Sequence, residues 1–262
     1  ASIMSKKPAE GLTGLVLDVK VGAGAFIPEE HRAIELAQTM VEIGVGRGLP
    51  TVALLTAMDR PLGYAIGNAL ETAEAILCLS GEGPEDLRVI VQLQAVEMLR
   101  LAEPGLAEQA AVSRVEAALD SGAALARLAR LVEAQGGDTG VIDSPERLVT
   151  APERLDVVAA GAGTVLAVAP KMLGQGVVAL GGGRRNMDQK PDLSVGFQMH
   201  VQPGDEVSAG DLLATVHARD AEGANTGEHV VRRAVTVGDV EQAPELRQLV
   251  SHRVDERGVV PL

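Results

Sequence analysis

Ser2 and Lys6 stand four residues apart. On a helix they share one face, one turn apart. A hydroxyl and an ammonium so placed can grip a carbonyl and a neighbouring ring nitrogen of a small ligand. By spacing alone, two surface side chains fit the pair better. The stretch Lys20-Val-Gly-Ala-Gly-Ala-Phe26 follows a short apolar run. Its glycines let the backbone come close to a ligand. It lacks the Gly-Lys-Ser/Thr of a phosphate loop and the spacing of a dinucleotide fingerprint. A plain strand-to-helix turn fits it at least as well. Gly181-Gly-Gly-Arg-Arg185 carries two cations on a glycine-rich turn. It suits phosphate or an acidic partner, and equally a loop that salt-bridges within an acidic chain. His31, His200, His217, His229 and His252 show no metal-ligand spacing. Cys78 is the one cysteine, so no internal disulfide and no Cys-based zinc site can form. It is expected on the apolar side of a helix, as a structural thiol.

The elements that must position these residues come from 262 residues, 46% of them apolar. The aromatics are Tyr64, Phe26 and Phe197, with no tryptophan. The core must therefore be aliphatic, and nucleic-acid readers that stack bases on aromatic rings are disfavoured. A formal charge of −13 argues against a duplex or an anionic membrane as partner. No run approaches eighteen apolar residues, and no signal peptide opens the sequence. A cytoplasmic protein is expected.

Leu15 to Val19 reads as a strand and Thr51 to Leu55 as another. Between them Pro28, Glu29 and Glu30 open a helix with an apolar face at Ile34, Ala37 and Val41. This βαβ unit predicts a parallel sheet covered on both faces. Helices are expected over 64–79, 84–101 and 106–134. Past about Pro152, glycines and β-branched residues take over. Strands are expected over 157–160, 163–168, 176–180, 194–201 and 212–217, with Glu153 to Asp156 as linker. The expected fold is α/β, a parallel sheet flanked by helices in residues 1–151. A smaller α+β domain with a glycine-rich mixed sheet follows in residues 152–262. The opening residues read as a helix entered partway along, so an upstream part of the chain is expected to be missing.

Five segments in order carry a family resemblance: Ser2 to Lys7, Leu17 to Phe26, Ala53 to Glu71, Gly81-Glu-Gly-Pro84, and Val178 to Arg185. Together they resemble the pyrimidine-nucleoside phosphorylases, which include thymidine phosphorylase. The resemblance implies a pentosyltransferase that cleaves uridine, thymidine or deoxyuridine reversibly. Inorganic phosphate is the co-substrate, and free base and (deoxy)ribose 1-phosphate are the products. A strict thymidine phosphorylase is the alternative. No organic cofactor is implied. The resemblance places Ser2 and Lys6 on the base, with Lys6 catalytic, and Ile3 and Phe26 along the base pocket. It also implies potassium or another hard cation, held by the carbonyls of Leu62 and Ala65 and the carboxylate of Glu74. Glu74 fits an ordinary helix-surface acid equally well. The full-length form is expected to be a homodimer. The family's phosphate loop and the arginine that completes the base grip lie upstream of these residues, so the chain alone is expected to be inactive.

A different class of function rests on Val201 to Leu213, whose turn pattern is that of lipoyl and biotinyl carrier domains. Lys171 is the nearest lysine that could carry such a group, but it lies upstream and follows Pro170.

Overall fold

The computed structural model describes residues 2–184, 186–242 and 245–262; of Ser2, Pro8, Ala9 and Gln242 it describes the backbone only. In chain order, α1 (Ser2–Lys6) leads through a 3-10 turn into β1 (Leu15–Val21), α2 (Glu30–Val45) and β2 (Thr51–Ala57). The short β3 (Ala65–Ile66) precedes α3 (Asn68–Ser80), α4 (Glu85–Ala102), α5 (Glu108–Asp120), α6 (Ala123–Ala134) and the single turn α7 (Gly140–Asp143). Then come β4 (Glu153–Val158), β5 (Gly163–Val168), α8 (Pro170–Ala179), β6 (Gly196–Met199), β7 (Glu206–Val207) and β8 (Leu212–Ala218). The chain closes with α9 (Ala221–Ala234), β9 (Val235–Gly238), β10 (Val250–Asp255) and β11 (Gly258–Pro261).

Packing divides the chain into two units that cross the 151/152 boundary expected from composition. One holds residues 1–59, 86–121 and 247–262; the other holds 60–85 and 122–246. Strand pairing is the reason. β10, near the carboxyl end, joins β2, whereas β3 joins β6.

In the first unit the sheet order is β1-β2-β10-β11. β1 and β2 run parallel, from Leu15 opposite Thr51 to Val21 opposite Ala57. The expected parallel sheet is thus one parallel pair, extended by an antiparallel hairpin. Leu15, Leu17, Val19 and Val21 alternate into a core with Met4, Ala33, Ala37, Val41 and Leu55. The small Ala33 and Ala37 are wholly buried, which lets α2 lie close on the strands. Every residue of β2 is buried, as befits a strand covered on both faces. On the other face of β1, Asp18 accepts hydrogen bonds from Lys20 and Gln94, each at 2.9 Å, and from the Thr56 hydroxyl. Buried Glu97 on α4 takes both prongs of Arg253 on β10, at 2.7 and 2.9 Å, and Asp255 takes a third donor of the same guanidinium at 2.6 Å. This network holds the guanidinium proton well above its ordinary range, chiefly through the Glu97 bond.

The second unit carries two antiparallel sheets, β3-β6-β8-β4 and β7-β5-β9, where a mixed sheet was expected. Fully buried Phe197 sits in its core among Val157, Leu173, Val195, Val216 and Val231. α9 buries Ala224, Gly227, Val231 and Ala234, a helical stripe. Asp220 caps its amino end by accepting the Gly223 N–H at 2.8 Å. Gly227 is required there: a Cβ would lie 2.3 Å from Val216 Cγ1.

Four local expectations change. Residues 176–179 belong to helix α8, and Leu180 caps it. Pro170 opens it and Gly181 ends it with φ +98°, and those signals outweigh the β-branched Val177 and Val178. Glu153 to Asp156 is strand, not linker, since β4 pairs with β8 from Glu153 onward. The expected helix over 106–134 is two helices, broken at Gly122. The helix expected from Tyr64 starts at Asn68, because Ala65 and Ile66 pair with β6.

Candidate functional site

Met4 is buried in the first unit's core and anchors α1 against α2. That leaves the neighbouring Ile3 and Lys6 exposed. The Ser2 side chain lies outside the described residues. Hydrophobic Ile3 keeps 54% of its surface in water, an arrangement that water alone does not favour.

Phe26 stands on the turn between β1 and α2, and its ring is fully exposed. The turn beneath it is well fixed. Met58 N–H donates to the Val21 carbonyl at 2.7 Å, and Gly24 N–H to the Met58 carbonyl at 2.8 Å. Ala25 N–H donates to the Gly22 carbonyl at 2.9 Å. Ala23 N–H donates to Asp59 Oδ1 at 2.8 Å. Gly22 has φ +115°, and a Cβ there would lie 2.2 Å from the same oxygen. The turn sits at the carboxyl ends of the parallel strands, where open parallel sheets place ligands. An exposed phenyl ring on a pinned turn can stack on or wall a flat ligand. α1 and this turn thus both border α2, in one unit.

The second unit holds the other expected group. Glu74 on α3 reaches back to the loop before it, and its Oε1 accepts the Tyr64 and Ala65 N–H groups at 2.8 and 3.0 Å. Gly63, at φ +67°, lies so near that a Cβ would stand 2.2 Å from Glu74 Oε2. Glu74 is therefore hydrogen-bonded to the segment that runs from Leu62 to Ala65, the first residue of β3. One carboxylate with peptide carbonyls suits a weakly bound hard cation. Among the described residues no cluster of three or more His, Cys, Asp or Glu forms a metal centre.

Gly181 and Gly182 donate to the Val178 and Val177 carbonyls at 3.1 and 2.8 Å, closing the end of α8. The Asn68 amide donates to the Gly182 carbonyl at 3.1 Å, tying this turn to the start of α3. Beside it Asp192 accepts the Ser194 hydroxyl at 2.6 Å and the Arg219 guanidinium at 2.9 and 3.0 Å. The Ser194 hydroxyl foremost, then the Ser194 N–H and Arg219, keep that carboxyl below its usual range against the opposing effect of burial. Arg185 lies outside the described residues.

The carrier-like turns are real as turns. Gln202 N–H donates to Asp205, and Ser208 N–H to Asp211, each at 2.7 Å. Lys171, however, lies in the first turn of α8 and not on a hairpin, so nothing presents it as a carrier lysine. Cys78 is buried on α3, as its sequence context predicts. Asp59 lies in the Ala53–Glu71 segment and Glu30 at the start of α2, but nothing in the sequence marks Arg247 or joins the three; only their meeting in space does.

Two family models match this chain. The glycosyl transferase family a/b domain matches residues 1–125, and the pyrimidine nucleoside phosphorylase C-terminal domain matches residues 164–238. The thymidine phosphorylase of Burkholderia orbicola (strain MC0-3) is 43% identical over 248 residues, which is 93% of this chain and 56% of that protein. The chain belongs to the pyrimidine-nucleoside phosphorylase family. The pyrimidine-nucleoside phosphorylases of Bacillus subtilis (strain 168) and Geobacillus stearothermophilus are 42% and 40% identical over 218 residues, 83% of this chain and 50% of each. The chain thus spans about half the length of the phosphorylases it matches. Ser2, Ile3, Lys6, Phe26, Leu62, Ala65 and Glu74 all fall within the first matched model, and the Gly181–Gly183 turn within the second. Among the described residues no helix is long and apolar enough to cross a membrane.

Proposed function

We propose that these residues form the base-gripping part and the carboxyl-terminal part of a pyrimidine-nucleoside phosphorylase. The reaction is reversible phosphorolysis of uridine, thymidine and deoxyuridine. A phosphate oxygen forms a bond to the anomeric carbon, and the bond from that carbon to the base nitrogen breaks. The base leaves with the bonding electrons and takes up a proton, and (deoxy)ribose 1-phosphate remains. The observation that carries this reading is the fully exposed Phe26 ring, on a pinned turn, in the same unit as the exposed Lys6.

Negative charge develops on the pyrimidine as it departs, and the Lys6 ammonium opposes it where it develops. Such a bond contributes about 1.5–3 kcal/mol, or about one to two decades in rate if made only in the transition state. Ser2 fixes the register of the base edge, and Ile3 and Phe26 wall its faces. The carbonyls of Leu62 and Ala65 with Glu74 would hold a potassium-like cation, which would supply fixed positive charge near the anionic co-substrate. The seating of Glu74 in that loop supports this assignment. The full-length protein acts as a homodimer in this reading.

The phosphate site belongs to the segment of the relatives that this chain does not match, so the 262 residues alone are expected to release no base. The test joins them to the unmatched segment of the Burkholderia orbicola thymidine phosphorylase and follows base release from thymidine and uridine. Phosphate-dependent release from both, reduced about ten- to hundredfold by Lys6→Met, is the expected result. Release from thymidine alone would identify a strict thymidine enzyme. A Lys6→Met chimera as active as its parent would refute the assignment.

A further inference from the structure

The Phe26 turn enters from β1 and leaves into α2, and a single side chain grips both ends of it. Arg247, just before β10, donates through Nε to Asp59 Oδ2 at 3.1 Å. Asp59 in turn holds the Ala23 N–H at 2.8 Å, at the entry to the turn. Through Nη1 the same guanidinium pairs with Glu30, the first residue of α2 and the exit from the turn. The other oxygen of Glu30 faces His252 Nδ1 on β10 at 3.4 Å. All of these residues lie in one unit. The three ionic side chains are each about 28–37% exposed, so solvent screens the network only in part.

A guanidinium is suited to this task. It presents donors in a fixed plane, so one side chain spans two carboxylates that flank a loop. Gly22 lies against Asp59 with no room for a Cβ, so the carboxylate and the turn are built to each other's shape. Backbone hydrogen bonds to Met58 and Gly22 fix the middle of the turn. The entry amide at Ala23 depends on Asp59, and Asp59 is oriented by Arg247.

We propose that Arg247 is a positioning residue for the Phe26 turn, acting through Asp59 and Glu30, so that the carboxyl-terminal segment sets the geometry of the pyrimidine-facing wall. The proposal rests on the reading that Phe26 lines the base pocket. It assigns a role in substrate recognition to residues some 220 positions away along the chain from the turn they govern.

The test is amide hydrogen exchange over residues 22–27, with uracil affinity measured by equilibrium dialysis, in the 262-residue chain and its Arg247→Met, Arg247→Lys and Asp59→Ala variants. Exchange at Ala23 in Arg247→Met should quicken about tenfold, while β2 amides from Val52 to Leu55 keep the parent rate. Asp59→Ala should give the same loosening, and adding Arg247→Met to it should change Ala23 no further. Arg247→Lys reaches only one of the two carboxylates, should restore part of the protection, and serves if Arg247→Met does not fold. Uracil affinity should fall in step with the loosening. Parent-like exchange at Ala23 in both Arg247 variants would overturn the proposal. A loosened turn with unchanged uracil affinity would leave Arg247 as the turn's clamp and remove Phe26 from the base pocket, so the two readings fail separately.

Discussion

His217 lies in β8, 8% exposed, with Arg154, Asp156 and His200 near it. Burial first, then the charges of Arg154 and His200, push its proton affinity below the ordinary histidine range, against the pull of Asp156. The unfolded chain takes up a proton on this ring near pH 6.5, whereas the folded chain resists. Between the folded and unfolded values the unfolded state holds more protons, so stability rises with pH and falls as pH drops below about 6.5. Urea midpoints measured from pH 7.5 to 5.5 should decline, and His217→Gln should flatten that part of the decline. An unchanged slope in the variant would place the titration elsewhere. Thr215, between His200 at 3.0 Å and Asp156 at 2.8 Å, is the donor to Asp156 and leaves the His200 ring to donate to its oxygen. Side chains of this kind were opaque in the sequence. Lys6 and Phe26 stood out through their motif, whereas Asp59 and Arg247 are 188 positions apart and meet only because β10 joins β2.

At the scale of elements, small residues replace aromatic bulk. α8 lies close to β6 and α9 because a Cβ on Gly176 would stand 2.7 Å from Val230 Cγ1 and 2.9 Å from the Phe197 ring. α9 lies on β8 through Gly227 in the same way. Gly227→Ala keeps a helical backbone and puts one methyl into the contact, and its helix-propensity gain of about 1 kcal/mol offsets only part of the overpacking. It should cost about 1–3 kcal/mol, read as a lower denaturant midpoint with unchanged m-value. A midpoint equal to or above the parent's would show that the contact costs no more than that propensity gain of about 1 kcal/mol. Helix signals proved legible where caps marked them: the α2 start after Pro28, Gly81 after α3, and Gly136 after α6. At 176–180 the β-branched Val177 and Val178 carry strand propensity, yet Pro170 and the positive-φ Gly181 bound a helix. α9, β9, β10 and β11 escaped notice because their apolar residues are few and short-spaced. α9 in particular buries Ala224, Gly227 and Ala234, with Val231 as the one larger apolar residue of the stripe.

At the scale of the molecule, each unit is assembled from separated stretches of the chain. Composition changes near Pro152, yet the second unit also recruits residues 60–85 and 122–151. Long-range pairing of β3 with β6 decides this, and no local propensity announces a two-residue strand. The same long-range logic returns the carboxyl end to the first unit, where β10 completes the sheet beside the parallel pair. The Phe26 turn therefore depends on both ends of the sequence. In the proposed function the first unit grips a pyrimidine through Lys6 against the Phe26 wall. Uracil binding to the 262-residue chain, compared with its Lys6→Met variant by equilibrium dialysis, tests this most directly. Saturable binding that weakens about tenfold or more in the variant is the predicted result. Equal affinity in the two proteins, or no binding of uracil by the parent, would contradict it.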